Sequence, residues 1–342
     1  MTRSGGGSLP RYILQRTVLV IPMIWVILTL VFIVLRVAPG DPVSATLGGK
    51  LNAQALEQRR QALGFNEPLL SQYWDYLSSV LRLDFGRTFS DNQSVLHVIR
   101  DNGGATLSLT LASFIIALLV GIPLGMVAGR FRDSLGDVLI RAFGIISYAA
   151  PVFFVGFLLQ IYVAQPLGLP TSGMASPVTV FVVQPHTHIL LIDVFLSGDG
   201  AAITDVLKHL LLPAVTLGLL ICGVFIRLVR VNILQTMQAD YVEAAEARGI
   251  SPSKVTRRHA FRNALVPVIT VIGLQFALLL GGAVLTESTF NWPGLGQKLV
   301  TYINDRDYGA VQGIITIFAL AVVLISLLVD IVNALVDPRV RY

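Results

Sequence analysis

Six stretches of about 20 or more mostly apolar residues dominate the sequence. They run over 12–37, 105–129, 137–164, 210–231, 264–289 and 309–336. Each is long enough to cross the ~30 Å hydrocarbon core of a bilayer as a helix. No water is present there to satisfy backbone N–H and C=O groups, so a spanning segment must pair them within itself. The expected fold class is an all-α polytopic membrane protein with about six transmembrane helices. The charge balance agrees. Charged residues make up 13% of the 342 and hydrophobic residues 54%, against about 25% charged in an ordinary soluble domain.

Lysine and arginine set the expected orientation. With the N-terminus in the cytoplasm, the inner segments hold Arg3, Arg11 and Arg16, then Arg130, Arg132 and Arg141. They also hold the basic run from Arg227 to Arg262, and Arg339 with Arg341. The two short outer loops hold only Lys208, Lys298 and Arg306. Both termini are therefore expected to be cytoplasmic. The net charge of +5 is spread along this topology and is not pooled in one patch, which argues against nucleic acid as a partner.

Residues 1–11 read as a cytoplasmic tail, and the first apolar stretch as a retained span. It is too long for a signal-peptide core and contains no small-residue cleavage site. Residues 12–104 then comprise the first span and a long external loop. In that loop Leu69, Tyr73, Tyr76, Leu77, Val80 and Leu81 recur at helical spacing, which predicts a small amphipathic helix. Residues 105–336 form a five-helix core, and 337–342 a cytoplasmic C-terminus. The proline- and glycine-bearing stretch from Pro166 to Gly200 is expected to form irregular outer loops. Gly121, Gly125 and Gly129 make a ladder of small residues that lets two helices approach closely. Pro22, Pro123, Pro151, Pro213 and Pro267 allow bends. The lone Cys222 lies in an apolar run and reads as a small buried residue.

The segment from Asp240 to Lys254, between the fourth and fifth spans, is patterned differently. Asp240 is placed to cap a short helix, with Glu243 reaching back as in a capping box. Gly249 stands where the residue after a helix turns left-handed. Ser251 then caps a second helix, and Pro252 suits its first position. That helix carries Lys254, Arg257, Arg258, His259 and Arg262. Ala244 and Ala245 leave a low surface for a groove on another protein. A stiff helix pair joined to two spans would pass a push on it into the bilayer. An ordinary basic inner loop accounts for the basic residues alone but not for the capped pattern.

Glu243-Ala244-Ala245 followed by Gly249 resembles the EAA loop of permease subunits in binding-protein-dependent ABC importers. Arg258-His259-Ala260-Phe261-Arg262-Asn263-Ala264-Leu265-Val266-Pro267 resembles the form found in the peptide/nickel branch. Three further segments are similar to its dipeptide and oligopeptide permease B-type subunits. They are Leu35 to Pro42; Leu63 to Leu69 with Asp84 to Phe89; and Thr286 to Gly296 with Arg306-Asp307-Tyr308 and Gln312-Gly313.

The resemblance implies a type I ABC importer permease fold in a bacterial inner membrane. It implies a coupling loop at about 237–263 that docks on an ATPase through Tyr241, Glu243, Ala244, Ala245, Arg248, Gly249 and Ser251. The implied partners are a second, paralogous permease, one or two cytoplasmic ATPase subunits holding ATP and magnesium, and an external substrate-binding lipoprotein. The implied cargo is a peptide, with nickel, haem and glutathione carried by other relatives.

No cofactor or metal is expected in this chain. It has no Gly-x-x-x-x-Gly-Lys-Ser/Thr loop, and Gly48-Gly49-Lys50 lacks the spacing. His186 and His188 form a pair with no third ligand. A proton-coupled transporter would need a charged relay within the spans. Arg36, Arg227, Arg230, Glu287 and Asp330 all fall near span ends, where they are expected to snorkel or pair. Ser108, Thr110, Ser147, Gln160, Thr216 and Gln275 are the polar residues available to line a path, and each equally suits a helix–helix hydrogen bond.

Overall fold

The computed structural model describes residues 9–37, 52–62, 64–251, 254–255, 261–264 and 266–336. Among the described residues, five helices are long and apolar enough to cross a membrane. They are α1 (Leu9–Val37), α4 (Val95–Arg130), α9 (Gly200–Met237), α12 (Val266–Thr289) and α14 (Tyr308–Val336). Two further helices, α5 (Leu135–Ala149) and α6 (Val152–Leu167), meet at a bend of 109° and together make a sixth candidate span. The expected single span over 137–164 is thus broken. Pro151 has no N–H to donate and pushes the residue before it out of helical conformation. Ala150 accordingly takes φ −72° and ψ 135°.

Helices α4 and α9 begin about ten residues before the expected spans. Their first turns carry His97, Arg100 and Asp101, and Thr204, Asp205 and Lys208. Hydropathy sees only the apolar part of each rod. Asp199 caps α9 by accepting the N–H groups of Ala201 and Ala202. The stretch from Pro166 to Gly200 is less irregular than expected, for it contains α7 (Pro177–Val182) and α8 (Leu190–Ser197). Of the other prolines, Pro22, Pro123 and Pro213 lie inside continuous helices, and Pro267 lies in α12, which follows the short α11 (Phe261–Ala264).

The core centres on α9, which packs along α4, α5 and α12. Glycines set the approach. A Cβ on Gly121 would meet Phe225 at 2.8 Å, one on Gly125 the Ile226 carbonyl at 2.8 Å, and one on Gly129 Ile233 at 2.8 Å. From the other side, a Cβ on Gly218 would meet the Ser113 carbonyl at 2.7 Å, and one on Gly223 would meet the Gly144 carbonyl of α5. The backbones therefore touch along the length of α9, as small-residue helix contacts in a bilayer require.

The periphery is built by α1 and α14. Arg16 and Asp330 pair at 3.3 Å, and α1 leaves Leu14, Ile21, Leu30 and Val34 exposed for lipid. Two helices of the N-terminal loop are α2 (Ala53–Ala62) and α3 (Leu69–Leu81). Helix α3 is the amphipathic helix read from the sequence, and it buries Leu77 and Val80 against Leu28. Asp307 ties residues 89–90 to the start of α14. Its carboxylate accepts the N–H groups of Ser90 at 2.8 Å and Ala310 at 3.0 Å.

Glu287 does not snorkel. It is 0% exposed, because the chain after α12 folds back into α13 (Leu295–Asn304) over its carboxylate. Thr106 Oγ1 donates to Oε1 at 2.6 Å and the Gln297 N–H donates to Oε2 at 2.9 Å. Trp292 adds a bond from its ring N–H to the Ala105 carbonyl at 2.9 Å. A Cβ on Gly294 would overlap the carboxylate, so this return needs glycine.

Ordinary overpacking costs about 1–3 kcal/mol. Gly223→Val pushes a side chain into the backbone of α5 and is expected to exceed that range. Thermal unfolding of the detergent-solubilised chain, followed by circular dichroism, checks it. An unfolding midpoint unchanged by the valine contradicts the packing described here.

Candidate functional site

Two residues, Gln238 and Ala239, separate α9 from α10 (Asp240–Ala247). Both are hydrogen-bonded: the Gln238 N–H to the Gln235 carbonyl at 3.3 Å and the Ala239 N–H to that of Thr236 at 3.2 Å. The link is short and stiff. The capping position differs by one from the sequence reading. Ala239, not Asp240, precedes the helix, and its carbonyl accepts the N–H of Val242 at 2.8 Å. Asp240 and Glu243 instead occupy the first turn, where negative charge favours the helix dipole.

Gly249 adopts φ 74°, and the Ile250 N–H bonds back to the Ala245 carbonyl at 3.2 Å. Together these make a six-residue glycine stop. The carbonyl of Ser251 then accepts the N–H groups of Lys254 at 2.9 Å and Val255 at 3.0 Å, opening the next turn. Pro252, Arg257, Arg258 and His259 lie outside the described residues, as does the side chain of Arg262.

The predicted contact residues divide into two faces. Tyr241, Ala244 and Arg248 share one stripe at i, i+3 and i+7 and are exposed, as are Glu243, Gly249 and Ser251. Ala245 does not belong to that surface. It is 6% exposed and packs with Val242 and Val255, joined by Met237 and Ile250. The second alanine of the pair therefore packs inward across the glycine stop, and only the first leaves the low surface.

Two turns before its own end, α9 is clamped to α5. Arg230 donates from Nε and Nη2 to the two oxygens of Asp137 at 2.7 and 2.8 Å. Arg141 approaches the same carboxylate at 3.4 Å, and the Asp133 N–H adds a bond at 3.1 Å. Sequence reasoning foresaw pairing for Arg230 but not its partner. The signal was present: Ser134 caps α5 by accepting the Asp137 N–H at 3.2 Å, a Ser-x-x-Asp start that places Asp137 in the first turn.

Beside this clamp lies a cleft of about 640 Å³ between α5, α9 and α12, lined by Arg141, Tyr148, Arg227, Arg230, Gln275 and Leu278. Of the polar residues proposed for a path, Gln275 lines it. Ser108, Thr110 and Thr216 are buried and bond carbonyls of their own helices at 2.8 Å. Ser147 is buried in α5. Gln160 braces two turns, donating to the carbonyls of Thr171 at 3.2 Å and Thr289 at 3.1 Å. Sequence reasoning missed Arg141 and Arg227 as cleft residues, because the positive-inside pattern had already accounted for them.

The model of the binding-protein-dependent transport system inner membrane component matches residues 121–342. The N-terminal model of the same kind of membrane component matches residues 9–110. The chain belongs to this family. Over 337 residues it is 37% identical to the di/tripeptide transport system permease protein DppB of Pseudomonas aeruginosa, covering 97% of this chain and 98% of that one. It is 33% identical to the dipeptide transport system permease protein DppB of Alkalihalophilus pseudofirmus and to the glutathione transport system permease protein GsiC of Escherichia coli K12, in each case over 97% of this chain and 99% of the relative. An inward-facing form of the MetNI methionine ABC transporter is similar in fold, with a TM-score of 0.54 and 16% identity over 70% of this chain and 96% of that one. The type I permease architecture read from the sequence is therefore present. The family segments also have physical roles here. Thr286 to Gly296 forms the Glu287 return, and the Asp307 segment anchors the start of α14.

Removing one member of a buried ion pair typically costs about 3–5 kcal/mol, whereas replacing both by apolar residues is often neutral. Asp137 has no exposed side-chain surface while Arg230 keeps 16% of its own, so the lower end of that range applies. Asp137→Ala is therefore expected to destabilise the solubilised chain strongly, and Asp137→Leu combined with Arg230→Met to recover most of the loss. A denaturation series on the two variants tests this, and equal stability of both would contradict the clamp.

Proposed function

We propose that this chain is the permease subunit of a bacterial inner-membrane importer for short peptides, driven by ATP hydrolysed in partner subunits. Its family membership makes it a membrane component of binding-protein-dependent transport. The cargo reading is supported by the printed functions of its relatives, which are dipeptides, tripeptides and glutathione, itself a tripeptide.

In this reading residues 1–11 and 337–342 are cytoplasmic, and the loop around 237–263 faces an ATPase. The stripe Tyr241, Ala244 and Arg248 enters a groove on that partner, with Glu243 and Ser251 flanking it. Nucleotide closure moves α10. The two-residue link and the Gly249 stop transmit the movement to α9 as a rigid-body displacement. The Asp137–Arg230 clamp carries it into α5, and the cleft between α5, α9 and α12 changes its exposure. A second, paralogous permease closes the open side of that cleft, and an external binding protein delivers the peptide at the far end. Arg141 and Arg227 offer positive charge to the carboxylate end of a peptide.

The single observation that carries the reading is the continuity of α9 through two hydrogen-bonded residues into a capped helix with an exposed stripe. In vesicles reconstituted with all partner subunits, Gly249→Pro is expected to lower ATP-driven dipeptide uptake at least tenfold, since proline cannot adopt the φ of 74°. Gly249→Ala meets nothing within 4 Å and strains only the backbone, so it should retain most uptake. Full uptake by the proline variant, at equal membrane abundance, overturns the assignment.

A further inference from the structure

Helix α3 meets the bundle partway along two spanning helices rather than at their ends. The Thr29 hydroxyl gives its proton to the Trp25 carbonyl, so the Tyr73 hydroxyl donates to Thr29 Oγ1, at 2.6 Å. The Tyr76 hydroxyl pairs with Thr316 Oγ1 at 2.8 Å. Leu77 and Val80 pack on Leu28, with Ile24 and Leu320 beside them.

The charges on α1 supply a depth scale. Arg16, paired with Asp330, and Arg36 bracket the 19 uncharged residues from Thr17 to Leu35. At the rise of an α-helix the two arginines stand about 30 Å apart, the thickness of the hydrocarbon core, which leaves α1 little room to shift along the bilayer normal. Leu28 then lies about 12 Å inside the Arg36 boundary. Tyr308 lines the same cavity as Arg36, and Thr316 is about 12 Å further along α14, so it sits at a similar depth. Another face of α1 is open to lipid at this level, for Leu30 and Val34 are 55% and 64% exposed.

The free face of α3 suits that depth. Leu70, Trp74 and Leu81 fall within about 40° of one another round the helix, and they are 68%, 61% and 84% exposed. Asp75 is the one charged residue of α3. It stands at least about 100° away from each of the three and lines a cavity of about 470 Å³ shared with Arg36. The two tyrosine hydroxyls bond inward to the protein while the largest apolar groups face out, which is the reverse of a helix lying in water.

We propose that α3 re-enters the bilayer and that Leu70, Trp74 and Leu81 contact acyl chains of the leaflet opposite α10. The partner is phospholipid hydrocarbon, continuous with the lipid-facing surface of α1. The long loop after α1 is then external only in part.

The test places a nitroxide on Leu70→Cys, Trp74→Cys or Leu81→Cys, each with Cys222→Ser. It uses the full chain in phospholipid vesicles, and the importer assembled there with cysteine-free partners. Oxygen concentrates in hydrocarbon, and a water-soluble nickel chelate is kept out of it. Leu30→Cys on α1 is the lipid reference, and Gln93→Cys, exposed just before α4, is the aqueous one. The oxygen-to-chelate collision ratio at 70, 74 and 81 should match that at 30 and exceed that at 93 roughly tenfold, in both preparations. Trp74 also gives a label-free readout: brominated acyl chains should quench the fluorescence of the unsubstituted chain more than that of Trp74→Phe. A ratio near the aqueous reference overturns the proposal. So does loss of oxygen access on assembly, which marks a protein partner on the stripe, and so does equal quenching of the two chains.

Discussion

The contact on which this structure depends is the one between the backbones of α4 and α9. In a bilayer, apolar side chains gain nothing by leaving lipid for one another, so helix association rests on close packing. Gly121, Gly125 and Gly129 remove the side chains that would hold α4 away, and Gly218 does the same on α9, while Gly223 lets α9 touch α5. The result is a rod of 38 residues that cannot slide freely past its neighbours. Its C-terminal end is fastened to α5 by a bidentate arginine–aspartate pair and runs into α10 after two residues. The mechanical path from the exposed stripe to the cleft has no slack element among the described residues.

Buried carboxylates play a consistent part elsewhere. Asp137, Glu287 and Asp307 are fully buried, and each gathers donors from segments distant in sequence. Such a group is costly unless its oxygens are matched, and matching them fixes the geometry of the chain around it. Glu287 holds the α12–α13 return against α4, and Asp307 holds residues 89–90 against α14. These carboxylates are saturated by hydroxyl, backbone and arginine donors, which suits anchors better than a proton relay.

Much of this was legible in the sequence, for identifiable reasons. The spans follow from length and hydropathy, and the stop at Gly249 from the conformational freedom of glycine. The polar first turns of α4 and α9 were not legible, since hydropathy reports the bilayer and not the helix. The break at Pro151 was ambiguous because Pro22, Pro123 and Pro213 sit in continuous helices. Ala245 was assigned to the docking surface on its size, yet its partner Val255 lies ten residues on, and only the fold of the glycine stop brings them together. Glu287 looked like an interfacial charge because one donor, Thr106, lies 181 residues away in sequence and the other, Gln297, reaches it only through the α13 return.

The central claim is that the exposed stripe of α10 faces the cytoplasm and touches an ATPase. Cysteine placed at Ala244 tests it most directly, since that position is exposed and small. In the assembled importer, with Cys222 replaced by serine, a short bismaleimide should join position 244 to an ATPase subunit. A membrane-impermeant maleimide added to intact cells should leave it unlabelled. Labelling from outside, or no crosslink to any nucleotide-binding subunit, contradicts the account.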